Sequence, residues 1–233
     1  MTLNAAIILQ ARMASRRLPG KALAQLGRRT ILAQCLGRLR HGSLVPVVLA
    51  TTDRPEDDQL QEEAERLGVR TFRGPSDDVL ARFTQVACAL NVDYVVRATA
   101  DNPAVDMAAP GRVLTQIADA ASDYATETEL PYGAAVEAVT VDALVRANAM
   151  ASGASEREHV TTLIRSGRRC FQAVERLAPA ALRRPQLRLT VDTVQDLEYM
   201  RRLMSLVDGP IEHPSLERII AAAESLSLMD TGR

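Results

Sequence analysis

Positive charge is concentrated in one loop near the start of the chain. The segment LQARMASRRLPGKAL, residues 9–23, holds four cations within ten positions: Arg12, Arg16, Arg17 and Lys21. It follows the apolar run AAIIL, which predicts a strand, so the loop leaves the carboxyl end of that strand. Guanidinium and ammonium groups, with the outward N–H groups of such a loop, bind phosphate oxygens. The loop therefore predicts a polyphosphate site, and a solvated basic loop is the alternative.

The loop lacks two common phosphate-binding patterns. The stretch RLPGKA does not have the first glycine of G-x-x-x-x-G-K-[ST], and the loop does not follow G-x-G-x-x-G either. The two large enzyme classes built on those patterns are therefore disfavoured.

Two aspartates each follow a predicted buried strand. Asp101 comes after DYVVRAT, residues 93–99, and Asp192 comes after LRLTV, residues 187–191. Because parallel strands end at the same edge of a sheet, we expect both side chains to meet there, opposite the cationic loop. Two carboxylates facing a polyphosphate are the oxygen ligands that Mg²⁺ prefers. Taken singly, each aspartate could equally form a turn or a helix cap.

The elements that position these residues alternate along the first half of the chain. Short apolar runs and helical periodicity follow one another, which is typical of an α/β domain with helices over a mostly parallel sheet. Strands are predicted at residues 5–9, 45–51, 69–73, 93–99, 170–177 and 187–191. Helices are predicted after N-caps at Thr30 and Ser76, before Gly68, at 142–150 and 155–167, after Asp192-Thr193, and at 214–226.

The strict alternation stops after about residue 125. We interpret residues 1–233 as one domain, in which residues 128–178 form a lobe. That lobe is predicted either to cover the crevice at the strand ends, where it would bind an acceptor, or to contact a second subunit.

Composition limits the classes of partner. With 28 basic and 29 acidic residues the formal charge is −1, so no global charge predicts a nucleic-acid or membrane surface. Aromatic residues are only 3% of the chain, which disfavours stacking platforms for single-stranded nucleic acid. No stretch predicts a signal peptide or a membrane span, so we expect a cytoplasmic protein. The three cysteines are predicted to be buried, reduced thiols: Cys35, Cys88 and Cys170.

Six stretches together resemble a known family. They are IILQARMASRRLPGKAL, VVLATTD, RGPSDDVLARF, VVRATADNPAVD, EREHV and RLTVDTVQDLE. In order and spacing they are similar to the cytidylyltransferases that activate sugars with CTP: CMP-KDO synthetases, CMP-sialic acid synthetases and the spore-coat polysaccharide biosynthesis protein F group. The resemblance implies a nucleotide-diphospho-sugar transferase fold, a Rossmann-like three-layer α/β/α sandwich. It also implies a Mg²⁺-dependent homodimer that transfers CMP from CTP to an acidic sugar or related acceptor and releases pyrophosphate.

The resemblance also assigns residues to the site. It implies that the nucleotide is bound by Ala11, Arg12, Ser15, Arg17, Lys21, Thr51, Asp53, Asp78, Val79, Leu80 and Arg97. Arg12, Lys21 and Asp101 would be catalytic, and Asp101 with Asp192 would hold the metal ion. Glu137, Glu156 and His159 would contact the acceptor.

Some positions depart from the family pattern or leave alternatives open. Ala100 stands where a glycine is usual, and Arg16 is an extra cation that either binds an acidic acceptor or, as we favour, is solvated. The cluster Glu156–His159 either contacts the acceptor across a dimer interface or is a charged helix face. Two rival functions also stand: a glycosyltransferase that uses a nucleotide sugar, and a non-catalytic nucleotide-binding subunit of a polysaccharide assembly system.

Overall fold

The computed structural model describes residues 3–166, 170–207 and 213–231. In this part of the chain seven strands form one sheet, in the order β5-β4-β1-β6-β8-β7-β9. The sheet strands are β1 Ala5–Gln10, β4 Val47–Thr52, β5 Thr71–Gly74, β6 Tyr94–Thr99, β7 Tyr124–Thr128, β8 Glu137–Thr140 and β9 Ala173–Leu177. A separate two-stranded ribbon pairs β2 Gln25–Leu26 with β3 Arg29–Thr30. Strand β8 runs antiparallel to β6 and β7, and the other pairs in the sheet are parallel.

Helices cover both faces of the sheet. They are α1 Ile31–His41, α2 Asp58–Arg66, α3 Val79–Leu90, α4 Ala109–Asp119, α5 Val141–Met150, α6 Ala154–Glu158, α7 Thr162–Arg165, α8 Val194–Val207 and α9 Leu216–Thr231. One core packs α1, α2, α4, α8 and α9 against the sheet, and the other packs α3, α5 and α7. The predicted α/β sandwich with a mostly parallel sheet is therefore confirmed. None of the described helices is long and apolar enough to cross a membrane.

The central strand β1 shows why the apolar runs become strands. Ile7 and Leu9 belong to one core and Ile8 belongs to the other, and all three are fully buried. Alternate side chains of a strand point to opposite faces, so a strand between two helical layers must be apolar at every position. The run AAIIL meets that requirement and thereby places the cationic loop at the centre of the sheet edge.

The predicted strand at residues 187–191 is wrong. This segment is extended and Leu189 and Val191 are buried, but its hydrogen bonds go to loops rather than to a strand of the sheet. The N–H of Leu189 donates to the carbonyl of Tyr132 (2.8 Å), and the N–H of Val191 donates to the carbonyl of Asp101 (2.8 Å). The apolar alternation indicated burial correctly, whereas the pairing partner could not be inferred from it.

Helix starts were predicted with mixed success. The hydroxyl of Thr30 accepts a hydrogen bond from the N–H of Ala33, which confirms the N-cap of α1. Helix α3 is capped by Asp78, whose carboxylate accepts from the N–H of Ala81, so the prediction of Ser76 as the cap is wrong. The helix begins two residues later than expected because Asp78, also a favourable N-cap residue, takes the capping position.

The region 128–178 is joined to the sheet by two strands, β8 and β9. The helix predicted at 155–167 is two short helices, α6 and α7, and residue 167 lies outside the described residues. Strand β7, just before this region, was not predicted. The role of the region as a lobe for acceptor binding or dimer contact stays a prediction.

The prediction of buried thiols is only partly right. Cys35 is buried in the first core, whereas Cys88 and Cys170 are exposed. Cys88 lies near the end of α3.

Candidate active site

A cavity of about 1000 Å³ opens at the carboxyl ends of β1, β4 and β6. Its wall is formed by the cationic loop, the turn after β4, the segment that precedes α3, the end of β6 and helix α6. Asp101 and Asp192 also line it, together with Arg12, Ser15, Arg17 and Lys21. The structure thus brings the two aspartates and the loop cations together, as the sequence predicted.

Lys21 lies between the two aspartates. Its Nζ contacts Asp101 Oδ2 at 3.2 Å and Asp192 Oδ1 at 3.0 Å, and it donates to the carbonyl of Val191 at 2.8 Å. Three oxygens therefore converge on one ammonium group, which has three N–H donors. Lys21 is also the only lysine in the sequence, because the other 27 of the 28 basic residues are arginines. A planar guanidinium could not direct its donors to three converging oxygens in this way.

Asp192 is held by cations on both of its oxygens. Besides Lys21, Arg17 contacts Oδ1 at 3.1 Å and Arg188 contacts Oδ2 at 2.8 Å. Burial alone would raise the pKa of Asp192, but the hydrogen bonds and charge of Lys21 and Arg188 hold the pKa below its ordinary value. The carboxylate is thus charged at neutral pH and fixed in its position.

The residues after Asp192 explain the spacing of its motif. The hydroxyl of Thr193 accepts from the N–H of Asp196 (3.1 Å), and Asp196 Oδ2 accepts from the N–H of Thr193 (2.9 Å). This reciprocal pair is a capping box at the start of α8. Asp196 also accepts from the N–H of Asp192 and from Arg188 Nε, and Arg188 is the main cause of its lowered pKa. The D-T-x-x-D pattern therefore fixes the backbone that carries Asp192.

The two aspartate segments are joined directly through the backbone. The carbonyl of Asp101 accepts from the N–H of Val191 and, at 3.1 Å, from the hydroxyl of Thr190. Gly133 packs against the same segment with φ of +97°, and a Cβ there would lie 2.8 Å from the nitrogen of Thr190. Only glycine allows this approach without shifting the segment that carries Asp192.

The pair of aspartates fits a divalent cation that is completed by substrate. Their carboxylates already converge on one cation, the Lys21 ammonium, beside the loop predicted to hold phosphates. Within the described residues no group of three or more His, Cys, Asp or Glu side chains could form a metal site by itself. A Mg²⁺ ion commonly uses one or two protein carboxylates and takes its other ligands from phosphate oxygens and water.

Asp57, which the sequence analysis did not select, anchors the cationic loop. Its Oδ1 accepts from the N–H of Met13 at 2.7 Å, and its Oδ2 accepts from the N–H and the hydroxyl of Thr52. The residue is buried, with 1% exposed, and it lines the cavity. A buried carboxylate that accepts N–H bonds ties the loop after β1 to the end of β4.

Arg12 is paired across the cavity with helix α6. Its guanidinium contacts Glu158 Oε1 at 2.6 Å, and both side chains are 35% exposed. His159, the next residue, is exposed and also lines the cavity. Glu156 does not line it; its carboxylate accepts from the N–H groups of Ser152 and Gly153 at the start of α6.

Several residues assigned to the nucleoside lie behind the cavity wall. Thr51 is buried, and its neighbour Thr52 lines the cavity instead. Val79 and Leu80 are fully buried in the second core. The structure therefore does not bring these three side chains to the cavity.

Asp53 and Asp78, which the resemblance also assigned to the nucleotide, do not line the cavity either. Asp53 is exposed, and the adjacent Arg54 lines the cavity. Asp78 caps α3 and contacts Arg157 at 3.1 Å, whereas the preceding Ser76 and Asp77 face the cavity.

Arg97 and Glu137 form a cross-strand pair on β6 and β8. Arg97 Nη1 contacts Glu137 Oε2 at 2.6 Å, and Arg97 lines the cavity. Glu137 also accepts from the hydroxyls of Tyr124 (2.7 Å) and Thr161 (3.1 Å). Burial alone would raise the pKa of Glu137, but Arg97 and the two hydroxyls lower it. Glu137 is thus a charged carboxylate, 15% exposed, that does not line the cavity.

A three-layer α/β fold with a cationic cavity and a pair of carboxylates at the sheet edge is the arrangement expected of a nucleotidyltransferase. Residues 6–224 match the family model described as cytidylyltransferase, so the chain belongs to the cytidylyltransferase family. It is 33% identical over 229 residues to the spore coat polysaccharide biosynthesis protein SpsF of Bacillus subtilis, a match that covers 96% of this chain and 92% of that protein.

Two further relatives support the same family. A 3-deoxy-manno-octulosonate cytidylyltransferase of Rhodospirillum centenum is 32% identical over 127 residues, which are 53% of this chain and 49% of that protein. The solved structure of a cytidylyltransferase from Leptospira borgpetersenii serovar Hardjo-bovis superimposes with a TM-score of 0.89 at 27% identity. That match covers 98% of this chain and 97% of the solved one.

Proposed function

We propose that this cytidylyltransferase transfers CMP from CTP to an acidic sugar or related acceptor in the synthesis of surface polysaccharide or glycoconjugate precursors. The observation that carries the proposal is the convergence of Asp101 and Asp192 on Lys21 beside the cationic loop. In this arrangement, charges that would bind a triphosphate lie beside carboxylates that would hold Mg²⁺. The name of one relative indicates a cytidylyl group transferred to a sugar acid, and the name of another indicates polysaccharide biosynthesis.

In the proposed reaction a hydroxyl oxygen of the acceptor attacks the α-phosphorus of CTP, and the hydroxyl proton passes to water. The new P–O bond forms in line as the bond to the bridging oxygen breaks, and pyrophosphate leaves with that bond's electron pair. Arg12, Arg17 and Lys21 would offset the charge that develops on the pyrophosphate. When bound at Asp101 and Asp192, Mg²⁺ supplies positive charge that polarises the phosphate. Asp57 would hold the loop so that its cations meet the phosphates.

The proposal is tested by pyrophosphate release from CTP with a panel of acidic sugars. Asp101→Asn keeps the shape of the side chain but removes its charge, and we expect turnover to fall about 10² to 10³-fold. Asp119→Asn, at an exposed position on α4, is the matched control and should leave turnover unchanged. Substantial Mg²⁺-dependent turnover by Asp101→Asn would contradict the assignment of Asp101 as a metal ligand. Release of a nucleoside mono- or diphosphate from a nucleotide sugar, without pyrophosphate from CTP, would instead identify a glycosyltransferase.

We also propose that the protein is a homodimer in the cytoplasm, where nucleoside triphosphates are made and used. Strand β9 lies at one edge of the sheet and Leu177 at its end is 58% exposed, which supports a subunit contact on this side. Light scattering coupled to size-exclusion chromatography would give about twice the chain mass of 25.3 kDa for a dimer.

A further inference from the structure

The charged side chains that line the cavity are balanced in number and mostly paired with one another. Among the residues that the structure describes, six cations and six carboxylates line it. Four of these cations contact a cavity carboxylate at 3.3 Å or less: Arg12, Arg17, Lys21 and Arg54. No excess of opposite charge therefore attracts a bare cation or a bare anion, and either one must break existing ion pairs to bind.

Lys21 lies where the ligands of a divalent cation would converge. Its Nζ is 3.2 Å from Asp101 Oδ2 and 3.0 Å from Asp192 Oδ1, and it is 2.8 Å from the carbonyl oxygen of Val191. Carboxylate and carbonyl oxygens are also the ligands of divalent cations. The side chains of Lys21 and Asp192 are mostly buried. Because like charges repel strongly where water is largely excluded, an ion bound to these oxygens has to displace the ammonium group.

The displaced ammonium group needs a new partner, and the cationic loop offers none of its own. The loop backbone is held in shape because the carbonyl of Met13 accepts from the N–H groups of Ser15 (2.9 Å) and Gly20 (3.0 Å). The N–H of Met13 in turn donates to Asp57 at 2.7 Å. The flexible four-carbon stem of Lys21 can therefore turn while the loop stays in place. The other charged side chains of the loop are cations, so an anionic ligand must supply the new partner.

The converse holds for a triphosphate that binds without a metal ion. Arg17 and Lys21, two of the cations proposed to bind it, contact Asp192 Oδ1 at 3.1 and 3.0 Å. Arg188 stays on Asp192 Oδ2. Among the described residues, however, the carboxylate of Asp101 forms an ion pair only with Lys21. Cations that turn towards the phosphates therefore leave Asp101 without a counter-ion beside a new negative charge, and a divalent cation on the two aspartates removes that cost.

We propose that Lys21 is an internal counter-ion of the two aspartates, so that a divalent cation and a nucleoside triphosphate enter this site together and each binds poorly alone. The ligands bind by an exchange of partners, in which the aspartate oxygens pass to the ion and Lys21 turns to the phosphates. The proposal rests on the function proposed above and specifies the form in which its donor is bound. Because binding linkage is reciprocal, each ligand raises the affinity of the other by the same factor.

The first experiment measures whether Lys21 competes with the metal ion. Binding of Mn²⁺, used in place of Mg²⁺, is followed without nucleotide by the electron paramagnetic resonance signal of the free ion. We expect Lys21→Met to bind Mn²⁺ about ten-fold or more tightly than the wild-type protein. Arg16→Met removes a positive charge of the same loop that forms no ion pair among the described residues, so it should stay within about three-fold of the wild type. No gain in Lys21→Met, or an equal gain in both variants, would overturn the proposal.

The second experiment tests whether the triphosphate draws Lys21 away from the aspartates. The same titration is repeated with each protein saturated with CTP, and it is corrected for the Mn²⁺–CTP complex that forms in solution. The ion then meets free aspartates in both proteins, so we expect the Mn²⁺ affinities of Lys21→Met and the wild type to differ by less than about three-fold. If the ten-fold difference between them persisted with CTP bound, Lys21 would still occupy the aspartates and the proposal would fail.

Lys21→Gln guards against a folding defect in Lys21→Met. Its amide group still donates N–H bonds but carries no charge, so Mn²⁺ affinity should change as in Lys21→Met. Wild-type Mn²⁺ affinity of Lys21→Gln without nucleotide would overturn the proposal. Neither titration uses an acceptor, so coupled binding of Mn²⁺ and CTP without pyrophosphate release from any acceptor would refute only the function proposed above. Pyrophosphate release by a protein that binds Mn²⁺ and CTP independently would refute only the role of Lys21.

Discussion

Replacing Lys21 by methionine removes the cation between the two aspartates while it keeps the length of the side chain. The variant leaves Asp101 Oδ2, Asp192 Oδ1 and the carbonyl of Val191 without their shared donor. The two carboxylates would then face each other with less compensating charge. We expect Lys21→Met to lower the free energy of unfolding in the absence of divalent cations.

The size of this effect follows from burial. Breaking a charge-assisted hydrogen bond costs about 1.5–3 kcal/mol. The side chains of Lys21 and Asp192 are 15% and 14% exposed, but Asp101 is 30% exposed, and Arg17 and Arg188 still bind Asp192 in the variant. We therefore expect a total loss of about 2–3 kcal/mol. For a chain of this size that loss lowers Tm by about 4–12 °C.

Mg²⁺ should reverse part of this loss, because a divalent cation can bind where the ammonium was. At a concentration ten times its Kd, an ion that binds only the folded state adds about 1.4 kcal/mol, or roughly 3–6 °C. The measurement is calorimetric melting of the wild type and of Lys21→Met, each with and without Mg²⁺. Arg16→Met is the control, since Arg16 is an exposed cation of the same loop that forms no ion pair among the described residues.

Two results would refute this reasoning. One is a Lys21→Met variant that melts within about 1 °C of the wild type without Mg²⁺, since the convergent contacts would then contribute nothing. The other is an equal gain from Mg²⁺ in both proteins, because the aspartates would then not be the site at which the ion replaces the ammonium. Lys21→Arg should lie between the wild type and Lys21→Met, because it keeps the charge but not the geometry.

Three further predictions concern the loop and its supports. Glu158→Gln should tighten CTP binding by about two- to five-fold, measured by calorimetry, because it releases Arg12 from a half-exposed ion pair and removes a negative charge near the phosphates; weaker binding would mean that Glu158 orients Arg12. Asp57→Asn should cost about 1.5–3 kcal/mol of stability and weaken CTP binding, because the N–H of Met13 loses a charged acceptor; unchanged melting and affinity would contradict an anchoring role. Asp196 has a folded-state pKa below the ordinary value of about 4, so its stabilisation is present above pH 4 and lost as the pH falls below it. Urea unfolding from pH 5 to 3 should therefore show a smaller loss of stability for Asp196→Asn than for the wild type, and parallel curves would count against this.

The pairing of the site aspartates was predictable from sequence, although one reason for it was wrong. Asp101 follows a strand of the sheet, as expected. Asp192 follows an extended segment whose partners are the loop carbonyls of Tyr132 and Asp101. Apolar alternation reports burial but not the partner of each N–H, and these partners are far away in the sequence. The sequence thus predicted correctly that Asp192 lies at this edge of the sheet, but the prediction that a strand carries it was wrong.

Other features could not be predicted from the sequence because contacts between distant residues determine them. Strand β7 reads YATET, and its polar residues gave no strand pattern, but Glu127 is buried because Arg112 of α4 binds both of its oxygens at 2.6 Å. Asp57 stands in the acidic run TTDRPEDD, where nothing local shows which carboxylate turns inward. Composition does give one signal of the site: the single lysine of the sequence, Lys21, lies in the candidate active site.

That single lysine gives the protein a built-in spectroscopic reporter. Reductive methylation with ¹³C-formaldehyde labels amino groups and leaves arginines untouched, so Lys21 would be the only side chain to carry the isotope, and the α-amino group would be told apart by its own chemical shift. The labelled dimethylammonium keeps its positive charge and one N–H donor, so its methyl resonance would respond when an incoming triphosphate displaces its ion pairs with Asp101 and Asp192. Binding of the triphosphate could thus be followed in solution, without any acceptor and before any bond is broken.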